Sequence, residues 1–136
     1  MSYLLDTNVI SELVKPKPAE AVMEWFSGIP DRSLHLSVLT IGEIRKGIEK
    51  LDNGKRKESL RLWLEHDLSH WFGNRILSLD APVADRWGRL LAQTGRTMPT
   101  IDSLLAATAL HHELRMVTRN HHDFEYPGLE VVNPFA

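Results

Sequence analysis

Apolar residues run along this chain in two rhythms that take turns. Tyr3-Leu4-Leu5 is a short apolar run ending at Asp6-Thr7-Asn8, which reads as a buried strand entering a turn. Val9, Ile10, Leu13 and Val14 follow at helical spacing until Lys15-Pro16-Lys17-Pro18, where proline cannot continue the helix. Val22, Trp25, Phe26 and Ile29 mark the apolar face of a second helix, closed by Gly28 and Pro30. Leu34 to Leu39 is strand-like. Thr40-Ile41-Gly42-Glu43 has the form of a capping box, with Glu three residues after a Thr N-cap, so a helix is expected from Thr40 to about Leu51. Beyond the Asn53-Gly54 turn, Leu60, Trp63, Leu64, Leu68, Trp71 and Phe72 trace one helical stripe. Arg75 to Leu79 predicts a third strand, and Pro82 opens a helix with Val83, Trp87, Leu90 and Leu91 inward. Pro99 and a Thr100 N-cap introduce a helix running to Leu114, whose Ala106, Ala107 and Ala109 allow close packing. Met116 to Thr118 and Leu129 to Val132 read as the last two strands.

Strands that alternate with helices predict an α/β domain with a mostly parallel sheet covered by helices on both faces. The helices between Thr40 and Phe72 are expected to form a hairpin protruding from that sheet. At 136 residues the chain reads as one domain, 1–136, long enough to bury roughly two-thirds of its unfolded surface. Cysteine is absent, which excludes disulfides and thiolate zinc sites and fits a reducing cytosol. The N-terminus lacks the features of a secretory leader, and no stretch reaches the ~20 apolar residues of a membrane span. A cytoplasmic protein without a membrane partner is therefore expected. The net charge of −2 means that any polyanionic partner must be attracted by a local basic face or a bound cation.

In open parallel sheets, ligands sit beyond the carboxyl ends of the strands. Asp6 follows the first strand, Glu43 lies in the first turn of the helix after the second, Asp102 lies in the first turn of the helix entering the fourth, and Asp123 lies just after the fourth. Each has a structural reading. Asp6 or Asn8 suits an N-cap, Glu43 the capping box, Asp102 a helix dipole and Asp123 a polar turn. Taken together, they put four carboxylates near one rim of the sheet. Carboxylates at ~4–5 Å repel by several kcal/mol per pair at an effective dielectric of ~20. A hard divalent ion relieves this repulsion, and Mg²⁺ so held can polarise a phosphoryl oxygen and activate water, the chemistry of phosphodiester hydrolysis.

These segments resemble the motifs of PIN-domain ribonucleases, in the FitB-like branch of the VapC toxins. Leu4-Leu5-Asp6-Thr7-Asn8 is similar to the first motif, Leu36 to Gly47 around Glu43 to the second, Pro99 to Ala109 around Asp102 to the third, and Val117 to Phe124 to the fourth. Pro127 to Phe135 is similar to the closing strand. The resemblance implies a three-layer α/β/α PIN-like fold. It implies Asp6, Glu43, Asp102 and Asp123 as catalytic and metal-ligating acids, with Thr7, Asn8, Thr118 and Asn120 supporting the pocket. It also implies Mg²⁺ as cofactor (Mn²⁺ can substitute) and endoribonuclease activity on tRNA or a structured rRNA loop. The implied assembly is a homodimer that forms a hetero-oligomer with an inhibitory VapB-type antitoxin.

The remaining features fit around that reading. Arg45 and Lys46 lie within a turn of Glu43 and are candidates for RNA contact, whereas Lys55 to Lys57 read as surface. His111 and His112, about 100° apart on a helix, cannot easily share an ion. His121 and His122 read as exposed or locally hydrogen-bonded. Trp25, Trp63, Trp71 and Trp87 read as core. The competing class is a catalytically inactive PIN-like or receiver-like binding or signalling module. A receiver would want paired acids after the first strand and Lys-Pro after a late one, and neither is present.

Overall fold

Strict alternation of side chains along a strand gives the sheet two different faces, and the first strand already shows both. In the computed structural model, which describes residues 1–136, β1 (Tyr3–Leu5) sends Tyr3 and Leu5 into one apolar cluster and Leu4 into the other. All three are buried, as expected of a central strand in a parallel sheet. β2 (Leu34–Ser37) and β3 (Ile76–Leu77) extend the sheet on one side of β1, and β4 (Arg115–Val117) and β5 (Val131–Val132) on the other. The order is β3-β2-β1-β4-β5 and every pairing is parallel. The chain builds outward from β1 in one direction and then returns to add β4 on its other edge. The topological switch point therefore lies at the carboxyl ends of β1 and β4.

Helices cover both faces. On one face lie α1 (Thr7–Glu12), α2 (Glu20–Ser27), α3 (Val38–Glu49) and a long helix made of α4 (Lys55–Leu62), a π-helical stretch (Trp63–Leu68) and α5 (Ser69–Phe72). Their apolar stripe, Ile44, Ile48, Leu60, Leu64, Leu68 and Phe72, packs with Leu5, Leu34 and Leu36. On the other face lie α6 (Ala81–Thr94) and α7 (Thr100–His111), where fully buried Ala106, Ala107 and Ala109 let the helices approach closely. Trp25, Trp63 and Trp71 pack partly buried against the first cluster and Trp87 against the second. The two-sided α/β architecture and the stripe from Leu60 to Phe72 are as the sequence predicts.

The ends of elements differ from expectation. β2 stops at Ser37, and Ser37 rather than Thr40 caps α3, its hydroxyl accepting from the Leu39 N–H at 3.0 Å. The capping box does not form, and Glu43 sits in the second turn of α3. The hydroxyl of Thr40, inside the helix and fully buried, has no hydrogen-bond partner. Thr100 is the first residue of α7 and Pro99 its N-cap, without a side-chain cap. β3 is shortened by a 3₁₀ turn over Gly73–Arg75, and β5 begins only at Val131. Lys57 is buried rather than on the surface: its ammonium donates to the carbonyls of Glu49 and Leu51 at 3.2 and 3.1 Å, closing the C-terminal end of α3.

Removing a buried hydroxyl that has no partner relieves a desolvation penalty. Thr40→Val should leave the denaturant midpoint unchanged or raise stability by up to about 1 kcal/mol. A loss of about 1 kcal/mol, as for a deleted N-cap, would restore the capping-box reading.

Candidate functional site

Asp6 leaves the end of β1 in extended backbone and caps α1, with one carboxylate oxygen accepting from the Thr7 N–H at 2.8 Å. Its other oxygen accepts from the Thr118 hydroxyl at 2.8 Å and the Asn8 amide at 3.3 Å. Thr118 follows β4 directly, so this hydrogen bond ties together the two strand ends at the switch point. The Thr118 hydroxyl oxygen in turn accepts from the Asn120 N–H at 3.0 Å, and the Asn8 side-chain oxygen Oδ1 accepts from the Arg119 N–H at 3.2 Å. Thr7 donates its hydroxyl to Glu43 at 2.7 Å, which brings the acid on α3 to the same rim. Thr7, Asn8 and Thr118 thus orient acidic side chains, whereas Asn120 contributes through its backbone.

Asp102 and Asp123 complete the rim. Asp102 lies in the first turn of α7, and Asp123 on an exposed 3₁₀ turn, His121–Phe124. Burial raises the Asp6 carboxyl above the usual range against the pull of the Thr118 and Thr7 hydrogen bonds, and the charges of Glu43 and Asp123 push it further up. The Asp102 carboxyl is pushed up to about 6, first by desolvation and then by Asp6, Asp123 and Glu43. The four acids therefore feel one another, but they do not close up. No three of them bring ligand oxygens all within 4.8 Å of one another. The donor set, all carboxylate with no bridging base, fits a hard divalent cation.

A groove of about 610 Å³ opens beside Glu43, lined by Thr7, Glu43, Lys46, Lys50 and the two glycines of α3, Gly42 and Gly47. Lys46 faces this groove, but Arg45 does not. Its guanidinium pairs with Glu49 and Glu65, each at 3.1 Å, on the side of α3 that meets the long helix. Lys50, which the sequence places in the basic cluster around the hairpin, also lines the groove, in the place expected of Arg45. Its spacing was the available signal, because positions 43, 46, 47 and 50 fall on one side of a helix. Tyr126 was missed. Its hydroxyl is buried without a partner, and burial together with the charges of Asp102 and Asp123 raises its pKa.

Comparison with known proteins adds three findings. A family profile described as "PIN domain" matches residues 3–127. Toxin FitB of Neisseria gonorrhoeae is 38% identical over 97% of either chain, and VapC ribonuclease Y4jK of Sinorhizobium fredii is 35% identical over 97% of this chain and 96% of that protein. The crystal structure of FitAcB from Neisseria gonorrhoeae contains a chain that superposes with a TM-score of 0.89 at 37% identity, covering 98% of each chain.

The raised Asp102 pKa fixes the sign of a stability test. Because the folded-state value lies above the ordinary one near 4, the Asp102 contribution to metal-free stability is fully present below about pH 4 and is lost as pH rises through about 6. Asp102→Asn should raise the metal-free melting temperature at pH 7 by about 4 °C, equivalent to roughly 1 kcal/mol once solvent screening of a half-exposed group is allowed for. The gain should vanish at pH 4. Melting curves at the two pH values that show no difference would mean that Asp102 is not crowded by the other acids.

Proposed function

The chain belongs to the PIN-domain family, and from that premise we propose that it is a metal-dependent endoribonuclease toxin of the VapC and FitB type. The observation that carries this reading is the convergence of Asp6, Glu43, Asp102 and Asp123 on the switch point of the sheet, with two of their pKa values raised by burial and mutual repulsion. An acidic rim of that kind repels RNA unless a cation intervenes. The four carboxylates are the residues that would hold Mg²⁺, or Mn²⁺ in its place. When bound, such an ion polarises a phosphoryl oxygen and lowers the pKa of water.

The protein's own groups then have separate roles. Thr118 and Asn8 hold the Asp6 carboxylate in one orientation from β4 and α1, and the Thr7 hydroxyl does the same for Glu43. Lys46, with Lys50 one turn further on, lines the groove beside Glu43 and meets the phosphates of RNA leading into the site. Arg45, engaged with Glu49 and Glu65, instead stiffens the helical hairpin. The substrate is a structured RNA, tRNA or a loop of rRNA, cleaved in the cytoplasm. No helix is long and apolar enough to cross a membrane. The whole chain acts as a single domain, as a homodimer held in check by a small VapB-type antitoxin. Similarity to the FitB toxin and to a chain of the FitAcB crystal structure supports that pairing.

Full-length protein, confirmed by mass to be free of any small partner, should cut total RNA at a few discrete places with Mg²⁺ or Mn²⁺ and stop when chelator is added. Asp6→Asn should remove cleavage by roughly 100-fold or more, beyond the 10–100-fold typical of outer-shell changes. Because Asn is as good an N-cap as Asp, α1 should stay intact. Thr118→Val should cost roughly 10–100-fold. Folded, partner-free protein that cuts nothing with either ion would convert the reading to a binding scaffold. Unchanged cutting by Asp6→Asn would move the active site elsewhere.

A further inference from the structure

The residues that flank Asp123 carry a different donor chemistry. His121, His122 and Glu125 bring one ligand atom each to within 4.8 Å of one another, which no other set of three His, Asp or Glu side chains in the molecule achieves. Adjacent residues on a regular helix point about 100° apart. On this 3₁₀ turn the two imidazoles lie 4.8 Å apart between centroids and 31° from parallel, and one ligand nitrogen of each lies within 4.8 Å of the other and of a Glu125 oxygen. His111 and His112, at the C-terminal end of α7, have the same centroid separation but stand at 83° and bring no third donor with them. Nδ1 of His122 and Oε1 of Glu125 are 3.3 Å apart, which already sets the carboxylate against the imidazole.

The backbone beneath this cluster is held firmly. Phe124 and Tyr126 are 1% and 5% exposed and pack with Leu90, Leu105 and Met116, while His121, His122 and Glu125 between and beside them are exposed. The Asp123 N–H donates to the Asn120 carbonyl at 3.0 Å and fixes the turn. The three donors are thus presented outward from a segment anchored to the core.

We propose that His121, His122 and Glu125 form a second metal site, specific for a Zn²⁺-class transition ion and distinct from the carboxylate rim. Two imidazoles and one carboxylate are the donor set of three-ligand zinc centres, which leave further positions open. Nitrogen donors favour Co²⁺, Ni²⁺, Cu²⁺ and Zn²⁺, whereas Mg²⁺ requires oxygen ligands. The two sites therefore sort ions by hardness although Asp123 adjoins both. The site stands whether or not the carboxylate rim cleaves RNA.

The test is calorimetric titration of Zn²⁺, and absorption titration of Co²⁺, into the full chain prepared without a histidine tag and in excess Mg²⁺. One ion per chain should bind, with cobalt bands showing nitrogen ligation. His122→Ala and Glu125→Gln should each weaken binding by at least roughly tenfold, and the Asp6→Asn/Asp102→Asn double variant should bind as the parent does. Melting curves in chelator should be unchanged for the two surface variants, which separates lost ligation from lost folding. Binding that survives both surface changes, or that disappears with the double variant instead, overturns the site.

Discussion

A carboxylate at the end of the central strand of a parallel sheet has little water left to it, and Asp6 is in that position. At 8% exposure its carboxyl is pushed up by burial, and the hydrogen bonds it accepts from the Thr118 hydroxyl and the Thr7 N–H oppose that shift, while the Asn8 amide also donates to it. Those donors come from the helix that follows β1 and from the end of β4. Pairing of β1 with β4, in register from Tyr3–Arg115 to Leu5–Val117, therefore does more than extend the sheet. It delivers the hydroxyl that orients the most deeply buried acid of the rim. Glu43 is tied to the same point through Thr7, so three separate stretches of chain depend on where β1 ends.

The same arrangement works against stability. Asp6 and Asp102 both have raised pKa values, and each is raised partly by the other acids. A sequence selected only for folding would replace one of them with an amide. On the proposed function a bound cation would supply the missing positive charge, and such a site is where local rules are expected to give way to function. Elsewhere the chain follows those rules closely. Apolar stripes are buried, α6 begins at Asp80, whose carboxylate accepts from the Val83 N–H at 3.1 Å, and it ends at Gly95 in the left-handed conformation that glycine adopts without strain.

Much of this was legible in the sequence because it depends on periodicity. Alternation in β1, the long stripe from Leu60 to Phe72 and the alanines of α7 each require a particular face to be buried, and those faces are buried. The acids could be placed because each sits a fixed short distance from a strand or a helix start. Details that depend on competition between neighbours were not legible. Ser37 and Thr40 are both good caps, and β2 pairing with β3 up to Ser37 and Leu77 decides for Ser37. Nothing local indicates that Lys57 will turn inward to close α3, or that the Tyr126 hydroxyl will be buried near two acids. Both depend on which segments meet in three dimensions.

α3 shows how closely core, site and hairpin are coupled. Successive residues turn by about 100°, so the helix has three working sides. Ile44 and Ile48 face the core, Arg45 and Glu49 face the long helix, and Glu43, Lys46 and Lys50 face the groove. The core side fixes the rotation of the helix, because Ile44 and Ile48 must reach the apolar cluster around Leu5 and Leu36. That rotation carries Glu43 to the Thr7 hydroxyl and Lys46 to the groove wall at once. Arg61 joins Arg45 on Glu49, whose carboxyl is pulled down to about 2, first by the Arg61 hydrogen bond and then by Arg45. These ion pairs are exposed and contribute little to folding. Their effect is to keep the Arg45 and Arg61 guanidiniums engaged with the hairpin. The groove is left to Lys46 and Lys50, beside the acids.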